Sequence, residues 1–242
     1  MNDWWADFYN DTIADLFLVR DEGPELDFLA SRLALRPGAL VFDQCCGIGN
    51  LAIGLARRGF RAVGVDLCGP YVERARRDAA GLPCDFVTAD AFEFRPERPC
   101  DAAFNWYSSF GYADADERNL EMLRRAFESL KPGGRFALDF LNAPAVYRDF
   151  KPRMERGRDG GARVVRECAL DIRRGRLDQR WTTTDAEGRA SSRSSSVKLY
   201  APHQLAELFE RTGFRDVELF GTVAGAPLAV DSSRCIVLGR KP

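Results

Sequence analysis

Several features are scarce in this chain of 242 residues, and each scarcity excludes something. No apolar run approaches the roughly 20 residues that a bilayer span requires, so a spanning helix is not expected. Neither sign of charge dominates: 35 basic residues stand against 36 acidic ones, for a net charge of -1. Whole-chain electrostatics therefore gives no pull toward nucleic acid or a membrane surface. The seven cysteines are odd in number and include no C-x-x-C. The neighbours Cys45 and Cys46 cannot easily bridge each other or share a zinc with the usual loop geometry. Buried free thiols in a reducing cytosol are the expectation, with no metal site. The first residues, Met-Asn-Asp-Trp-Trp-Ala-Asp, are acidic and aromatic, unlike a signal or transit peptide. A cytoplasmic protein is expected.

What remains is an ordinary globular balance, with 45% hydrophobic and 29% charged residues. Residues 1–34 read as a helical cap, because Trp4, Trp5, Phe8, Ile13, Leu16 and Phe17 fall near a 3.6-residue spacing. Leu26, Phe28, Leu29 and Leu33 repeat that spacing after a break at Gly23-Pro24. A regular alternation follows. Strands are expected at 39–43, 61–66, 84–88, 100–106 and 135–141. Helices are expected at 48–58, 70–79 and 116–130, the last closed by Lys131-Pro132-Gly133-Gly134. Such alternation implies a parallel sheet with helices on both faces. The rhythm breaks over 150–200, where 163–172, 176–184 and 192–200 read as three strands of an antiparallel meander. Arg173-Arg174-Gly175 and Asp185-Ala186-Glu187-Gly188 supply its turns. About 50 residues is marginal for an independent unit, so this is a lid-like insertion within a single domain over 1–242. A helix at 201–212 and strands at 214–220 and 234–239 complete the chain.

The chemistry-bearing segment is Val41-Phe42-Asp43-Gln44-Cys45-Cys46-Gly47-Ile48-Gly49-Asn50. A strand runs into a glycine-containing turn that opens a helix. Gly47 and Gly49 allow torsions other residues resist, and the helix start offers unpaired N–H groups. Asp66 lies 17 residues after Gly49, at the end of the second strand. A carboxylate there can accept both ribose hydroxyls of a nucleoside. Asp90-Ala91-Phe92 follows the third strand: Asp90 can accept an adenine amino group and Phe92 can wall the base. Asn105-Trp106-Tyr107 ends the fourth strand. Four such turns in order converge on the crevice outside the carboxyl ends of the strands. The nicotinamide fingerprint Gly-x-Gly-x-x-Gly is incomplete, since Gly49 is followed by Asn50, Leu51 and Ala52. Asp43 would repel a phosphate but suits a cofactor carrying an ammonium and a sulfonium. The choice falls on S-adenosylmethionine.

On these residues the sequence resembles the class I S-adenosylmethionine-dependent methyltransferases, in particular the small-molecule branch with a β-rich insertion. Gly64-Val65-Asp66-Leu67, Thr88-Ala89-Asp90-Ala91, Ser108-Ser109-Phe110-Gly111-Tyr112 and Leu130 to Phe136 carry the likeness further. So do Asp139-Phe140-Leu141-Asn142, Val197-Lys198-Leu199-Tyr200, Thr212-Gly213-Phe214 and Asp231-Ser232-Ser233-Arg234. The resemblance implies a Rossmann-like, seven-stranded, mostly parallel sheet of order 3-2-1-4-5-7-6. Its last strand is antiparallel, and the β insertion lies between strands 5 and 6. It implies transfer of a methyl group from S-adenosylmethionine, leaving S-adenosylhomocysteine, to N or O of a small molecule in specialised metabolism.

Residue by residue, the resemblance gives Cys46, Gly47 and Gly49 to the methionine part of the cofactor, with Asp43, Cys45 and Asn50 beside them. Asp66 holds the ribose and Leu67 packs on adenine. Asp90 and the N–H groups of Ala91 and Phe92 read its edge. Asn105 and Trp106 line the path to the sulfonium, and Trp5 and Tyr9 close the first helix over the cofactor. The family usually has glycine where Cys45 stands, so its thiol narrows the pocket. Tyr107, Phe110, Tyr112, Asn142, Arg166, Trp181, Tyr200 and Arg234 form the candidate acceptor pocket. No catalytic residue is assigned. A base is needed only for a protonated nucleophile, and the sole histidine, His203, reads as a surface residue at a helix start.

Two rivals stand beside this reading. Residues 148–180 hold eleven basic and six acidic residues, which could grip the phosphates of an RNA or tRNA substrate. The signs alternate, however, and Asn105-Trp106-Tyr107-Ser108 lacks the Asn/Asp-Pro-Pro-Tyr of base-modifying relatives. The other rival is a non-catalytic nucleotide-binding Rossmann-like module. A small-molecule acceptor without nucleic-acid or membrane partners is the expectation. The acceptor's identity and the oligomeric state are not legible.

Overall fold

The computed structural model describes residues 22–157 and 163–242. Its main sheet has seven strands: β1 (Leu40–Gln44), β2 (Arg61–Asp66), β3 (Cys84–Thr88), β4 (Cys100–Asn105), β5 (Leu130–Leu141), β10 (Arg215–Phe220) and β11 (Arg234–Arg240). Their spatial order is β10-β11-β5-β4-β1-β2-β3, with β11 antiparallel to both neighbours and the other pairs parallel. This is the 3-2-1-4-5-7-6 order expected from the sequence.

The central strands are apolar on both faces because both faces are covered. Phe42, Ala103, Phe136, Leu138 and Phe140 pack toward α4 (Asp116–Ser129) and α6 (Pro202–Thr212), through Leu120, Leu123, Leu205 and Phe209. Their sequence neighbours Val41, Ala102, Phe104 and Ala137 point the other way. They meet α1 (Gly23–Arg32) and α2 (Asn50–Arg57) through Leu26, Leu29, Leu51 and Leu55. The helix α3 (Gly69–Asp78) packs beside α2 over β2 and β3 through Val72, Ala75 and Phe86. The Gly23-Pro24 break is the first turn of α1, where a proline's missing N–H costs nothing.

Three boundaries differ from the expectation. Leu130 already pairs with Cys100, and residues 131–134 loop out of β5 before Arg135 resumes the pairing opposite Ala102. A short helix α5 (Ala143–Arg148) follows β5. The insertion has four strands, not three: β6 (Arg153–Gly157), β7 (Arg163–Asp171), β8 (Arg176–Thr184) and β9 (Ala190–Lys198). The added edge strand β6, Arg-Met-Glu-Arg-Gly, has a single apolar side chain and so no alternation to reveal it. Among the described residues no helix is long and apolar enough to cross a membrane. All seven cysteines are free thiols. The helical cap expected before residue 22, with Trp5 and Tyr9, lies outside the described residues.

Candidate active site

A cavity of about 1540 Å³ opens at the carboxyl ends of β1, β2, β3 and β4 and runs beneath the inserted sheet. It exceeds the roughly 300–1,000 Å³ typical of one small-ligand pocket.

Its floor is the turn after β1. Cys46 N–H bonds to Val65 O and Gly49 N–H to Cys46 O, which bends the chain back over the sheet. Gly49 caps α2 with φ +79°, and a Cβ there would sit 2.7 Å from the Phe86 ring. Its glycine therefore serves helix packing. Gly49 itself does not line the cavity. Gly47 does line it, and its N–H donates to Asp66 Oδ2 at 2.8 Å. Cys68 N–H donates to Asp66 Oδ1 at 2.9 Å. Each carboxylate oxygen thus holds one backbone N–H and keeps a lone pair for a ligand.

Asp43 is buried and Asp66 half-buried, and loss of solvent pushes both carboxyls up from the usual range, Asp43 well above it. Asp66 adds to the rise of Asp43 by like-charge repulsion, while the Ala52 N–H at the start of α2 opposes it. No cation pairs with either among the described residues. Burial, with repulsion from Asp66, Asp43 and Asp90, likewise drives the Cys45 thiol well up, so it stays protonated. Asp90 Oδ1 accepts the Phe92 N–H at 2.8 Å, and Asp90 Oδ2 lies 3.8 Å from Arg118. The Phe92 N–H is therefore engaged within its own turn, and the Ala91 N–H is left as the edge reader of the expected pair. Leu67 exposes 40% of its surface on the cavity wall, opposite the turn carrying Ala91 and Phe92. Asn50 and Trp106 line the cavity as well.

Asn105 does not line it. It is fully buried one layer below, donating to Ser109 O at 3.1 Å and to Gln44 Oε1 at 3.3 Å. Gln44 in turn donates to Met122 O, so this amide pair ties β1, β4 and α4 together beneath the floor. The next residues, Tyr107 and Ser108, have φ +57° and +64°, and Cys45 has +65°. Of the five described non-glycine residues in the left-handed region, three thus line one cavity, where local strain is held by surrounding contacts. For Tyr107 the holding contact is Asp139 Oδ2, which accepts its N–H at 3.0 Å; Asp139 O accepts the Ser108 N–H. Asp139 is also paired with Arg234 through two hydrogen bonds, one of 2.7 Å to Nε.

The acceptor candidates divide. Tyr107, Tyr112, Arg166, Trp181 and Arg234 line the cavity. Phe110, Asn142 and Tyr200 do not. Phe110 is fully buried against Phe140 and Tyr200, with ring centroids 5.9 and 5.7 Å apart. Tyr200 spends its hydroxyl on Asp116 Oδ1 at 2.6 Å and on Asn119. Asn142 donates to Ser232 O at 2.7 Å and Ala229 O at 3.0 Å, anchoring the segment before β11. All three are buried and engaged with the protein itself: Phe110 from the loop after β4, Asn142 just after β5 and Tyr200 just after the inserted sheet. His203 is exposed at the start of α6, away from the cavity. The reading of motifs missed Tyr71 and Arg118, both from helices; Arg118 stacks 4.6 Å over the Phe92 ring. Their only sequence signal is a helix start that the parallel topology returns to the strand ends.

Fold and site together define a Rossmann-like α/β protein with a ligand crevice at its strand ends, walled by the carboxylates Asp43, Asp66 and Asp90 and roofed by a β insertion. Residues 41–134 match the family model described as a methyltransferase domain. The match takes in the strand-end turns that line the cavity, and the fold is one shared with S-adenosylmethionine-dependent methyltransferase structures. It is 40% identical over 113 residues to an S-adenosyl-L-methionine-dependent Diels-Alderase, iccD, of Talaromyces variabilis, covering 44% of this chain and 37% of that one. It is 31% identical over 150 residues to a ubiquinone biosynthesis O-methyltransferase of Xanthomonas campestris, covering 60% and 59%. The chain thus spans about two-fifths to three-fifths of these relatives. An S-adenosylmethionine-dependent methyltransferase structure from Clostridium acetobutylicum superposes with a TM-score of 0.81 at 15% identity, covering 95% and 96% of the two chains.

Proposed function

We propose that this protein is a methyltransferase that moves a methyl group from S-adenosylmethionine to a nitrogen or oxygen of a small molecule. The observation that carries the reading is the pairless carboxylate group at the strand ends. Asp43, buried, and Asp66, half-buried, line the cavity with no cation paired to them among the described residues, and a ligand bearing positive charge relieves what desolvation costs them.

When bound, S-adenosylmethionine supplies a methyl carbon already activated by its sulfonium. The chain's residues do the rest by placement. Asp66, oriented by the Gly47 and Cys68 N–H groups, accepts the ribose hydroxyls. Leu67 and Phe92 cover the base, and Asp90 offers Oδ2 to its amino group. Asp43 favours the cationic end through its field. Trp106, Tyr107 and Tyr112 wall the route by which an acceptor enters, excluding water and aligning the attacking atom. The described lining has no histidine, and the Cys45 thiol is held protonated, so deprotonation of the acceptor is not assigned to either. An amine arriving neutral, or a hydroxyl already acidic, suits such a wall.

The test is calorimetry with S-adenosylhomocysteine and with NADH, followed by incubation of the labelled cofactor with candidate amines and phenols. Saturable binding of the first alone, with one labelled product per S-adenosylhomocysteine formed, is expected. NADH binding without S-adenosylhomocysteine binding would overturn the reading. A second reading is favoured by the absent histidine and by the name of the Talaromyces relative: a cofactor bound but not consumed while the acceptor rearranges. Acceptor turnover without S-adenosylhomocysteine release would select it.

A further inference from the structure

The inserted sheet has two chemically different faces, and the register assigns every residue to one of them. Residues directly opposite in antiparallel strands share a face, and alternate residues along a strand do too. Met154, Arg166, Trp181 and Arg193 lie in one row across β6, β7, β8 and β9. Their face also carries the buried Val164, Leu177, Gln179, Ser195 and Val197, so it is the inward one. Three arginines belong to it: Arg156, Arg166 and Arg193. No carboxylate does. Glu155, Glu167, Asp171 and Asp178, the acidic residues of the four strands, all belong to the opposite face. A random solvated sheet would spread both signs over both faces; here the inward face carries only the basic one, although Glu167 and Asp178 of the other face also line the cavity.

Arg166 is the centre of that face. Its guanidinium lies 4.9 Å over the Trp181 ring, and both residues line the cavity. Its Nε is buried and donates to nothing. The groups that bear on its charge are the Cys168 thiol, Tyr112 and the like-charged Arg156, and burial holds the guanidinium below its ordinary range. Among the described residues no carboxylate pairs with it. A guanidinium stacked on an indole presents its N–H edge sideways, in the fork geometry that fits two oxygens of one anion. Gln179 and Ser195, on the same inward face and also lining the cavity, add neutral hydrogen-bonding groups. Arg234, the other arginine at the acceptor end, is already bonded to Asp139 and has no fork left to give.

We infer that Arg166, stacked on Trp181, binds an oxyanion of the acceptor, so that the methyl acceptor is a carboxylate- or phosphate-bearing small molecule held between a basic roof and an acidic floor. This rests on the proposed methyl transfer for the word acceptor, but the anion site stands on the roof alone. The same arrangement explains how one cavity takes two ligands without confusion. The cationic cofactor is drawn to Asp43 and Asp66, the anionic acceptor to Arg166, and each is repelled from the other's end.

The test uses the full chain, first saturated with S-adenosylhomocysteine and then titrated by Trp fluorescence and calorimetry. The probes are 4-hydroxybenzoate, phenyl phosphate and the neutral methyl 4-hydroxybenzoate. At least one of the two anions is expected to bind tenfold or more tightly than the ester. Arg166→Gln should remove that preference, Arg166→Lys should restore part of it, and neither should change the affinity for S-adenosylhomocysteine. Trp181→Phe should remove the fluorescence change. The proposal is overturned if neither anion binds up to tens of millimolar, if the ester binds as tightly as the anions, or if Arg166→Gln keeps the preference. If S-adenosylhomocysteine fails to bind while the anion preference and its loss in Arg166→Gln persist, the methyltransferase reading falls and the anion site remains.

Discussion

The two ends of the cavity are built by opposite means. At the sheet end the backbone is bent into place: Cys45, Tyr107 and Ser108 adopt left-handed torsions, and buried polar groups hold each bend. At the roof the backbone is a regular antiparallel ladder in which, among the described residues, only glycines, Gly175 and Gly188, take such torsions. Its chemistry is set by which residues alternate inward. The floor is therefore a fixed cradle that tolerates little change, and the roof is a surface whose specificity can be altered one side chain at a time. That is the division expected where one ligand is constant and the other varies.

The largest effect should come from removing the cradle's central group. Asp66→Ala deletes the acceptor of the Gly47 and Cys68 N–H groups along with the proposed ribose contact. Hydrogen bonds to a charged group are worth about 1.5–3 kcal/mol each, so calorimetry should record S-adenosylhomocysteine binding weakened by at least two orders of magnitude. An unchanged affinity would separate the cradle from the cofactor. Next come two arginines that differ in partners. Arg234→Met leaves Asp139 buried and unpaired, which costs about 3 kcal/mol or more. Burial already raises the Asp139 carboxyl against the pull of Arg234. Losing Arg234 raises it further, so the loss of stability should shrink as the pH falls through that raised value. Arg166→Met removes a half-buried cation that no described carboxylate offsets, and its denaturation midpoint should move by no more than about 1 kcal/mol. Equal losses from the two would erase the distinction between a structural and a ligand-facing arginine.

A smaller effect concerns the charge at the floor. Asp43 has its carboxyl raised by burial and then by Asp66. A raised carboxyl stabilises the fold fully below the ordinary carboxylate range and loses that contribution as pH rises through the folded value. Above that value the ligand-free chain thus holds an unfavourable charge. Asp43→Asn keeps an oxygen for the Ala52 N–H, and should raise stability above that value, read as a higher urea midpoint, while weakening cofactor binding. Near and below that raised value, where Asp43 still carries its proton, binding of S-adenosylmethionine to the unaltered chain should release protons. Calorimetry in two buffers of different ionisation enthalpy reads that release, and proton uptake would contradict the sign.

The main sheet was legible because its strands are short apolar runs punctuated by glycine and aspartate, and because parallel order fixes where their ends meet. Asp43, Asp66 and Asp90 could be placed on one crevice from the chain order alone. What could not be read depends on facing rather than on order. Phe110 and Tyr112 are two residues apart in one loop, yet the first enters the core and the second lines the cavity. Asn142 and Tyr200 look like site residues by residue type and are spent on backbone and carboxylate partners. β6 has no hydrophobic alternation, and Arg118 reaches the site only by the packing of α4. The sign separation on the roof needed the strand register, because a shift of one residue exchanges the two faces.

Cys45 offers the finest probe of the contrast between cradle and roof. Its φ of +65° belongs to glycine, the residue the resemblance places there. A left-handed torsion costs a side-chain-bearing residue roughly 1–2 kcal/mol. Glycine relieves that, but loses about 0.5–1 kcal/mol in backbone entropy, together with the thiol's contact to Ser109 O at 3.8 Å. Cys45→Gly should therefore change stability by less than about 1 kcal/mol, whereas Cys45→Val, branched at Cβ, should cost more than that because it resists the same torsion. Urea midpoints for the pair measure how much strain the floor holds. If valine were tolerated as well as glycine, the cradle would be as pliable as the roof, and the contrast between a fixed and an adjustable end would fail.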